Sequence, residues 1–348
     1  MLMGKQLFYA GGYAESGPCL HLCEYGNGEV SVRESYDIKN SAYFCISKSK
    51  KFLYAVSETD EFMGKPGGGA AAYSIGEGGR LTFVNSACTL SESSCHLSVD
   101  EEAGRLYVAS YVGGSVSIFK LNKDGGIGEY LRKIDNNKRG NASRAFAERQ
   151  ESAHAHFVSP LSMNGVKTVW VCDLGLDRVF VLDAEGEIIS EVAAEAGAGP
   201  RHLAFHQSKN LAYQVNELSC DIYTYKYGAA GDVRLVGKSP CIPNPEPKDT
   251  CAAIRVSPGG GHLFASVRGA DYIAVMKLDG EGMPGEYIKV KTDRCPRDFN
   301  FNVAGNKVFV ANQDSDLITV YDWDEKNSGM VPEKASLSIK SPACVVCV

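Results

Sequence analysis

The chain has 348 residues, 44% hydrophobic and 22% charged, the composition of an ordinary globular protein with room for one large core or two modest ones. Its net charge of -6 and pI near 5.7 argue against nucleic acid or an anionic membrane as partner, because both are bound through clustered Lys and Arg. A small molecule fits this balance better. Residues 1–6 run directly into strand-like residues 7–10 without the basic, apolar and small-residue regions of a signal peptide. No apolar run nears the roughly 20 residues needed to cross a bilayer. The 12 cysteines stand mostly alone in apolar strand patterns, as at Cys45, Cys95, Cys172 and Cys251, where a free thiol behaves as a small hydrophobe. This usage predicts a reduced, cytoplasmic protein.

Taken in order, the chain repeats one pattern: a strand, a polar turn, a second strand ending in a small or polar pair, then an alternating third strand and a linker. The first two strands recur as residues 42–46 with 52–58, 95–99 with 106–111, 154–158 with 169–174, 199–205 with 210–217, 252–256 with 263–268 and 297–301 with 308–313. Third strands follow at 115–119, 273–276 and 317–321. The period of about 45 to 60 residues is that of propeller blades. A seventh copy is split: residues 342–346 read as a lone first strand and residues 7–12 as a lone second strand. Pairing them removes two open edges. The expectation is an all-β, seven-bladed β-propeller occupying residues 1–348 as a single domain, closed by the C-terminal strand in the N-terminal blade.

Two stretches depart from the repeat. Residues 122–150 are polar and basic, with Lys133, Lys138, Arg139, Arg144 and Arg149, and are expected as an excursion on the face where first strands begin. Residues 64–69 are rich in glycine but lack the Lys-Ser or Lys-Thr and the following helix of a phosphate loop, so they read as a plain flexible turn.

Positions that hold up a repeat stay alike, so polar positions that differ between copies are candidates for a site. The residues ending the second strands are Gly12, Glu58, Tyr111, Leu174, Glu217, Arg268 and Gln313. A purely structural turn would keep Gly, Asn or Asp. The starts of the first strands vary too, through Arg201, Arg297 and either His154 or His156, which lie two apart and so face one side of a strand. Because first strands begin where second strands end, these groups are expected around one face of the ring. His96 and His202 share a repeat position and read as structural hydrogen-bonders. Asp177, Asp271 and Asp316, each three residues past a second-strand end, read as turn formers. Cys344 and Cys347 have redox spacing by letter, but i and i+3 point to opposite faces of a strand. There is no paired Cys and His pattern for zinc, and no metal or organic cofactor is expected.

The chain resembles the lactonase family of seven-bladed propellers, which includes bacterial 6-phosphogluconolactonases and fungal carboxy-cis,cis-muconate cyclases. The resemblance spans nearly the whole chain. It rests on Arg149-Gln150 followed by His154-Ala155-His156, Asp173-Leu174-Gly175 with Asp177-Arg178, Gly199-Pro200-Arg201-His202-Leu203-Ala204-Phe205, Asn216-Glu217, Arg268-Gly269, and Pro296-Arg297-Asp298-Phe299 with Ala311-Asn312-Gln313-Asp314-Ser315-Asp316. One departure is Ser266-Val267, where many relatives carry Ser-Asn ahead of the arginine. The resemblance implies catalytic roles for His154 or His156, Arg201, Glu217 and Arg268, the positions that repeat divergence also selects. Arg297, Gln313, Glu58 and Tyr111 are the expected substrate-binding groups.

Guanidinium forks suit a phosphate or carboxylate, and a preorganised cation suits the oxyanion of ester hydrolysis. The expected activity is therefore hydrolysis of an anionic sugar lactone, 6-phosphoglucono-δ-lactone to 6-phosphogluconate, a step of the pentose phosphate pathway, by a monomer or weak homodimer. Glu217 or the histidine would activate water. The rival readings are a cycloisomerase that closes a carboxymuconate to its lactone and a non-catalytic propeller serving as an interaction scaffold.

Overall fold

A computed structural model describes residues 5–228 and 231–348. They form seven four-stranded antiparallel sheets and one short two-stranded ladder, with helix limited to single turns. The chain is a seven-bladed β-propeller. Six sheets take their strands in chain order. The seventh runs Glu29–Tyr36, Leu20–Gly26, Gln6–Gly12, Pro342–Cys347, so a strand from the far end of the chain supplies the inner edge of the first blade, as the split repeat predicts.

The chain folds as two compact units. The three-sheet unit comprises residues 38–201 and 227–234 and contains the blades whose inner strands are Phe44–Ile46, Ser94–Asp100 and Ala155–Met163. The four-sheet unit comprises the described residues up to 37, 202–226 and 235–348. Its inner strands are Thr250–Val256, Pro296–Phe301 and Pro342–Cys347, and it also carries most of the sheet led by Pro200–Phe205.

Second strands are mostly apolar and buried, as in Leu211–Asn216 and Lys307–Asn312. They give each unit its own core: Tyr107, Val158, Val171 and Phe180 cluster in one, Tyr213, Ile254, Leu263 and Met276 in the other. Burial pushes the thiols of Cys23 and Cys45 up to about 12, so these groups are protonated packing atoms. All twelve cysteines are free.

Three expectations are corrected. The segments read as linkers after the third strands are fourth strands, such as Ile127–Asp135 and Val233–Pro240. They form the outer blade edge, where most side chains meet water, so they carry polar residues and lack an apolar signature. Residues 122–150 are accordingly not one excursion: Ile127–Asp135 belongs to a blade, and only the stretch from 136 onward leaves it. Nor is the glycine-rich segment a plain turn. Glu61–Phe62 pairs with Lys65–Pro66, Gly69 begins the strand Gly69–Ile75, and a Cβ on Gly69 would lie 2.5 Å from the Phe62 ring.

The three aspartates form turns, as expected, and do more. Asp177, Asp271 and Asp316 are left-handed, with φ of 51°, 56° and 53°. Their carboxylates accept the backbone N–H of Gly199 (2.7 Å), Cys295 (2.8 Å) and Ser341 (2.8 Å). Each donor immediately precedes a proline that opens the next inner strand, Pro200, Pro296 or Pro342. One residue type thus sets the hairpin and pins the start of the following blade.

Candidate active site

The inner strands Ser94–Asp100, Ala155–Met163, Pro296–Phe301 and Pro342–Cys347 each carry a one-residue β-bulge close to their starts. Ser94 pairs with Ser110 and His96 with Ala109, leaving Cys95 extra. In the same way His156 is left over between Ala155 and Phe157, Arg297 between Pro296 and Asp298, and Ala343 between Pro342 and Cys344. A bulge inserts one unpaired residue and re-aims its side chain. His156 and Arg297 therefore occupy one structural position, and His154 lies one residue ahead of its strand. His96 is in register instead, stacked on Tyr43 at 4.0 Å, with Nδ1 accepting the Val158 N–H at 3.4 Å. His202, like His96, is buried.

The alignment of second-strand ends needs a one-residue correction. Glu58, Tyr111, Leu174, Glu217 and Gln313 each stand just past their strands, whereas Gly12 and Arg268 are the last residues within theirs. Tyr13 is the counterpart of Gln313: its N–H bonds to Ser341 O as that of Gln313 bonds to Cys295 O. Gly12 is glycine because a Cβ there would lie 2.3 Å from the Ser341 carbonyl oxygen.

In the three-sheet unit Tyr111, His154 and His156 come together. The Tyr111 ring stacks on His154 at 4.2 Å and 7°, and meets His156 edge-on at 5.6 Å. His154 Nδ1 lies 3.0 Å from Tyr111 O and its Nε2 3.0 Å from Glu151 Oε1. Arg149 donates to Tyr111 Oη through Nε and Nη2, both at 3.4 Å. The His154 backbone is fixed by Asp173, whose Oδ1 accepts the N–H groups of His154 (2.9 Å) and Leu176 (3.0 Å). Burial pushes the Asp173 carboxyl above its ordinary range, and these hydrogen bonds only partly offset that. Burial also acts on Glu151, but a backbone hydrogen bond and the neighbouring His154 and Arg149 hold its carboxyl below the ordinary value. Arg201 is 3% exposed, at the second residue of its strand. Glu58 stands at its strand end with its backbone bonded both ways to Asn40.

In the four-sheet unit Glu217, 2% exposed, faces Arg268: Oε1 lies 3.1 Å from Nη2. Nη2 also donates to Cys251 O at 3.1 Å, while Arg268 Nε is buried with no hydrogen-bond partner. A second group forms around Arg297, which donates from Nη2 to Tyr13 Oη (2.9 Å) and from Nη1 to Gln313 Oε1 (3.3 Å), with its guanidinium 5.4 Å from the Tyr13 ring centre. Among the described residues no group of three or more His, Cys, Asp and Glu side chains is arranged to hold a metal ion.

Tyr13, Glu151 and Arg149 belong to these groups but do not stand out by divergence between the repeats. Tyr13 was hidden by the one-residue slip at Gly12. Arg149 and Glu151 lie in a polar stretch without periodicity, and only the Arg149-Gln150 motif hinted at them.

Comparison with known proteins agrees with this architecture. Residues 8–347 match the family described as lactonase, 7-bladed beta-propeller. A 6-phosphogluconolactonase of Bacillus subtilis (strain 168) is 27% identical over 99% of this chain and 98% of its own length. An uncharacterized protein of Lactococcus lactis subsp. cremoris is 32% identical over 98% of this chain and 99% of its own. The structure of a periplasmic gluconolactonase of Pseudomonas aeruginosa superposes with a TM-score of 0.89 at 25% identity, covering 99% of each chain.

Proposed function

Because the chain belongs to the lactonase family of seven-bladed β-propellers, we propose that it hydrolyses 6-phosphoglucono-δ-lactone to 6-phosphogluconate. The observation that carries the chemistry is the Glu217–Arg268 pair, with its buried and unbonded Arg268 Nε. A buried N–H without a partner is costly, and a substrate oxygen that accepts from it gains correspondingly. In ester hydrolysis that oxygen is the carbonyl oxygen of the lactone, which becomes an oxyanion when water attacks C1. Glu217, held next to a cation, takes the proton of the attacking water. Collapse of the intermediate breaks the bond from C1 to the ring oxygen, which needs a proton as it leaves.

His156, presented by its bulge, is assigned to that proton, and Arg201 to binding the lactone. Both assignments are supported by the family resemblance. His154 has an acceptor beside each ring nitrogen and is assigned to holding Tyr111. Glu58 and Tyr111 are assigned to the sugar hydroxyls, Arg297 and Gln313 to the anionic end. The relative named 6-phosphogluconolactonase supports the phosphorylated substrate, and with it a cytoplasmic role in the pentose phosphate pathway.

The test is a direct assay on freshly prepared 6-phosphoglucono-δ-lactone, corrected for spontaneous hydrolysis, with Arg201→Ala and Glu217→Ala alongside. A rate well above background that both substitutions abolish is expected. No rate above background overturns the substrate, and full activity in the variants overturns the residue assignments.

A further inference from the structure

We propose that Tyr13 is a positioning residue that makes Arg297 the reader of the substrate's phosphate, so that this pair decides between phosphorylated and unphosphorylated sugar lactones. This inference rests on the lactonase reading and concerns the same substrate. Tyr13 is not among the groups that the family resemblance implicates.

The geometry treats the two arginines of the four-sheet unit differently. Arg268 spends an Nη2 proton on the Glu217 carboxylate and on Cys251 O, so a negative protein charge already sits against it. The contacts that orient Arg297 are of another kind. Tyr13 Oη and Gln313 Oε1 each take one terminal nitrogen, and the Tyr13 ring lies beneath the fork. Both of these acceptors are neutral groups, and with the Tyr13 ring they fix the plane of the guanidinium. A planar fork held in this way matches the oxygens of a phosphate bidentately.

Three independent elements converge on that plane. Arg297 comes from the bulge of one inner strand, Gln313 from the end of the next strand, and Tyr13 from a different blade. The thiol of Cys295, which donates to Gln313 Oε1 at 3.8 Å, feels both Arg268 and Arg297, although burial acts on it more strongly. The reacting-centre arginine and the orienting fork belong to the same unit. The same device recurs in the three-sheet unit, where Tyr111 Oη accepts from Arg149. There the tyrosine is also stacked on His154, while Tyr13 is stacked on the arginine itself.

The experiment measures kcat/KM on 6-phosphoglucono-δ-lactone and on glucono-δ-lactone for wild type, Tyr13→Phe, Arg297→Gln and Arg297→Lys. In parallel, calorimetric titration measures binding of 6-phosphogluconate and gluconate, and thermal unfolding confirms that each variant is folded. A charge-assisted bidentate contact predicts about a 30-fold loss for Arg297→Gln on the phosphorylated lactone and less than about threefold on the other. Arg297→Lys keeps the charge but loses the fork and falls between. Tyr13→Phe keeps the ring and raises KM for the phosphorylated lactone roughly fivefold with kcat unchanged.

Equal losses on both lactones, or unchanged discrimination in Arg297→Gln, overturn the inference while leaving the lactonase reading intact. If wild type hydrolyses neither lactone, that reading falls and the titration still decides the inference. Tighter binding of 6-phosphogluconate than of gluconate, lost in Arg297→Gln, upholds it. Equal binding of the two acids by wild type overturns it.

Discussion

Glu217 and Arg268 are joined twice, once directly between side chains and once through Cys251, whose carbonyl accepts from Arg268 Nη2 while its N–H donates to Glu217 O at 3.0 Å. The backbone of one inner strand therefore sits between the partners and fixes their separation. Removing one member of a buried pair leaves the other charge uncompensated, at about 3 kcal/mol. Glu217→Gln is expected to cost about that in urea unfolding and to lower kcat at least about 100-fold. The double variant Glu217→Gln/Arg268→Met should be less destabilised than the sum of the single changes, which a double-mutant cycle in unfolding free energy reads directly.

His154 and His156 should separate by phenotype. His156→Gln is expected to lower kcat about 100-fold and to cost less stability than His154→Gln, whose ring is the one stacked on Tyr111. His154→Gln removes the ring that stacks on Tyr111 and should lower stability by about 1 kcal/mol while changing KM more than kcat. Steady-state kinetics beside thermal unfolding distinguishes the two, and identical effects from both substitutions would contradict the separate assignments.

The aspartate that pins a blade start has two separable functions, which Asp316 allows to be tested. Asp316→Gly keeps the left-handed turn and loses the hydrogen bond to the Ser341 N–H together with the Lys340 contact, an expected cost of about 1 kcal/mol. Asp316→Ala loses the bond and also strains the turn, adding roughly another 1 kcal/mol. The exposed pair with Lys340 contributes little to either value. Denaturant titration of both variants should show Gly the milder change.

Glu325 sets part of the acid limit of the fold. Burial pushes its carboxyl up, but hydrogen bonds from Ser257 Oγ (2.6 Å), Trp323 Nε1 (2.9 Å) and His262 Nδ1 (3.1 Å) outweigh this and hold it below the ordinary range. A carboxylate depressed on folding stabilises above its unfolded value, near 4.3, and loses that contribution as pH falls through the folded value. The stability difference between wild type and Glu325→Gln should thus be full at pH 7, about 1 kcal/mol for this partly exposed group, and vanish in more acid solution. Urea midpoints taken across that window provide the check.

How much of this was legible in the sequence follows from where each residue sits. Second strands announce themselves because both faces are covered, as residues 211–216 show, and the pairing of residues 342–347 with 6–12 is legible from two half-repeats. Outer strands such as Glu29–Tyr36 face water and read as linker. The bulge at Arg297 and His156 adds one residue to a strand without altering its composition, so strand counting left His154 and His156 unresolved. The same one-residue slip placed Gly12 where Tyr13 belongs. Candidate residues were found by their failure to repeat, but the neighbours that orient them, Tyr13 for Arg297 and Glu151 for His154, required coordinates because they come from other strands or from aperiodic loop.

The blade that begins the chain is finished by residues 342–347, and Gln6 Nε2 donates to Val348 O across 342 positions of sequence. A ribosome making this chain releases Gln6–Gly12 long before its inner neighbour exists. For most of synthesis that strand presents an open, largely buried-type edge, Leu-Phe-Tyr-Ala, of the kind that invites pairing with other chains. The arrival of residues 342–347 therefore covers that edge. The adjoining Ser341 carbonyl also takes the Tyr13 N–H, so the residue that orients Arg297 is set only when residues 341–347 are in place.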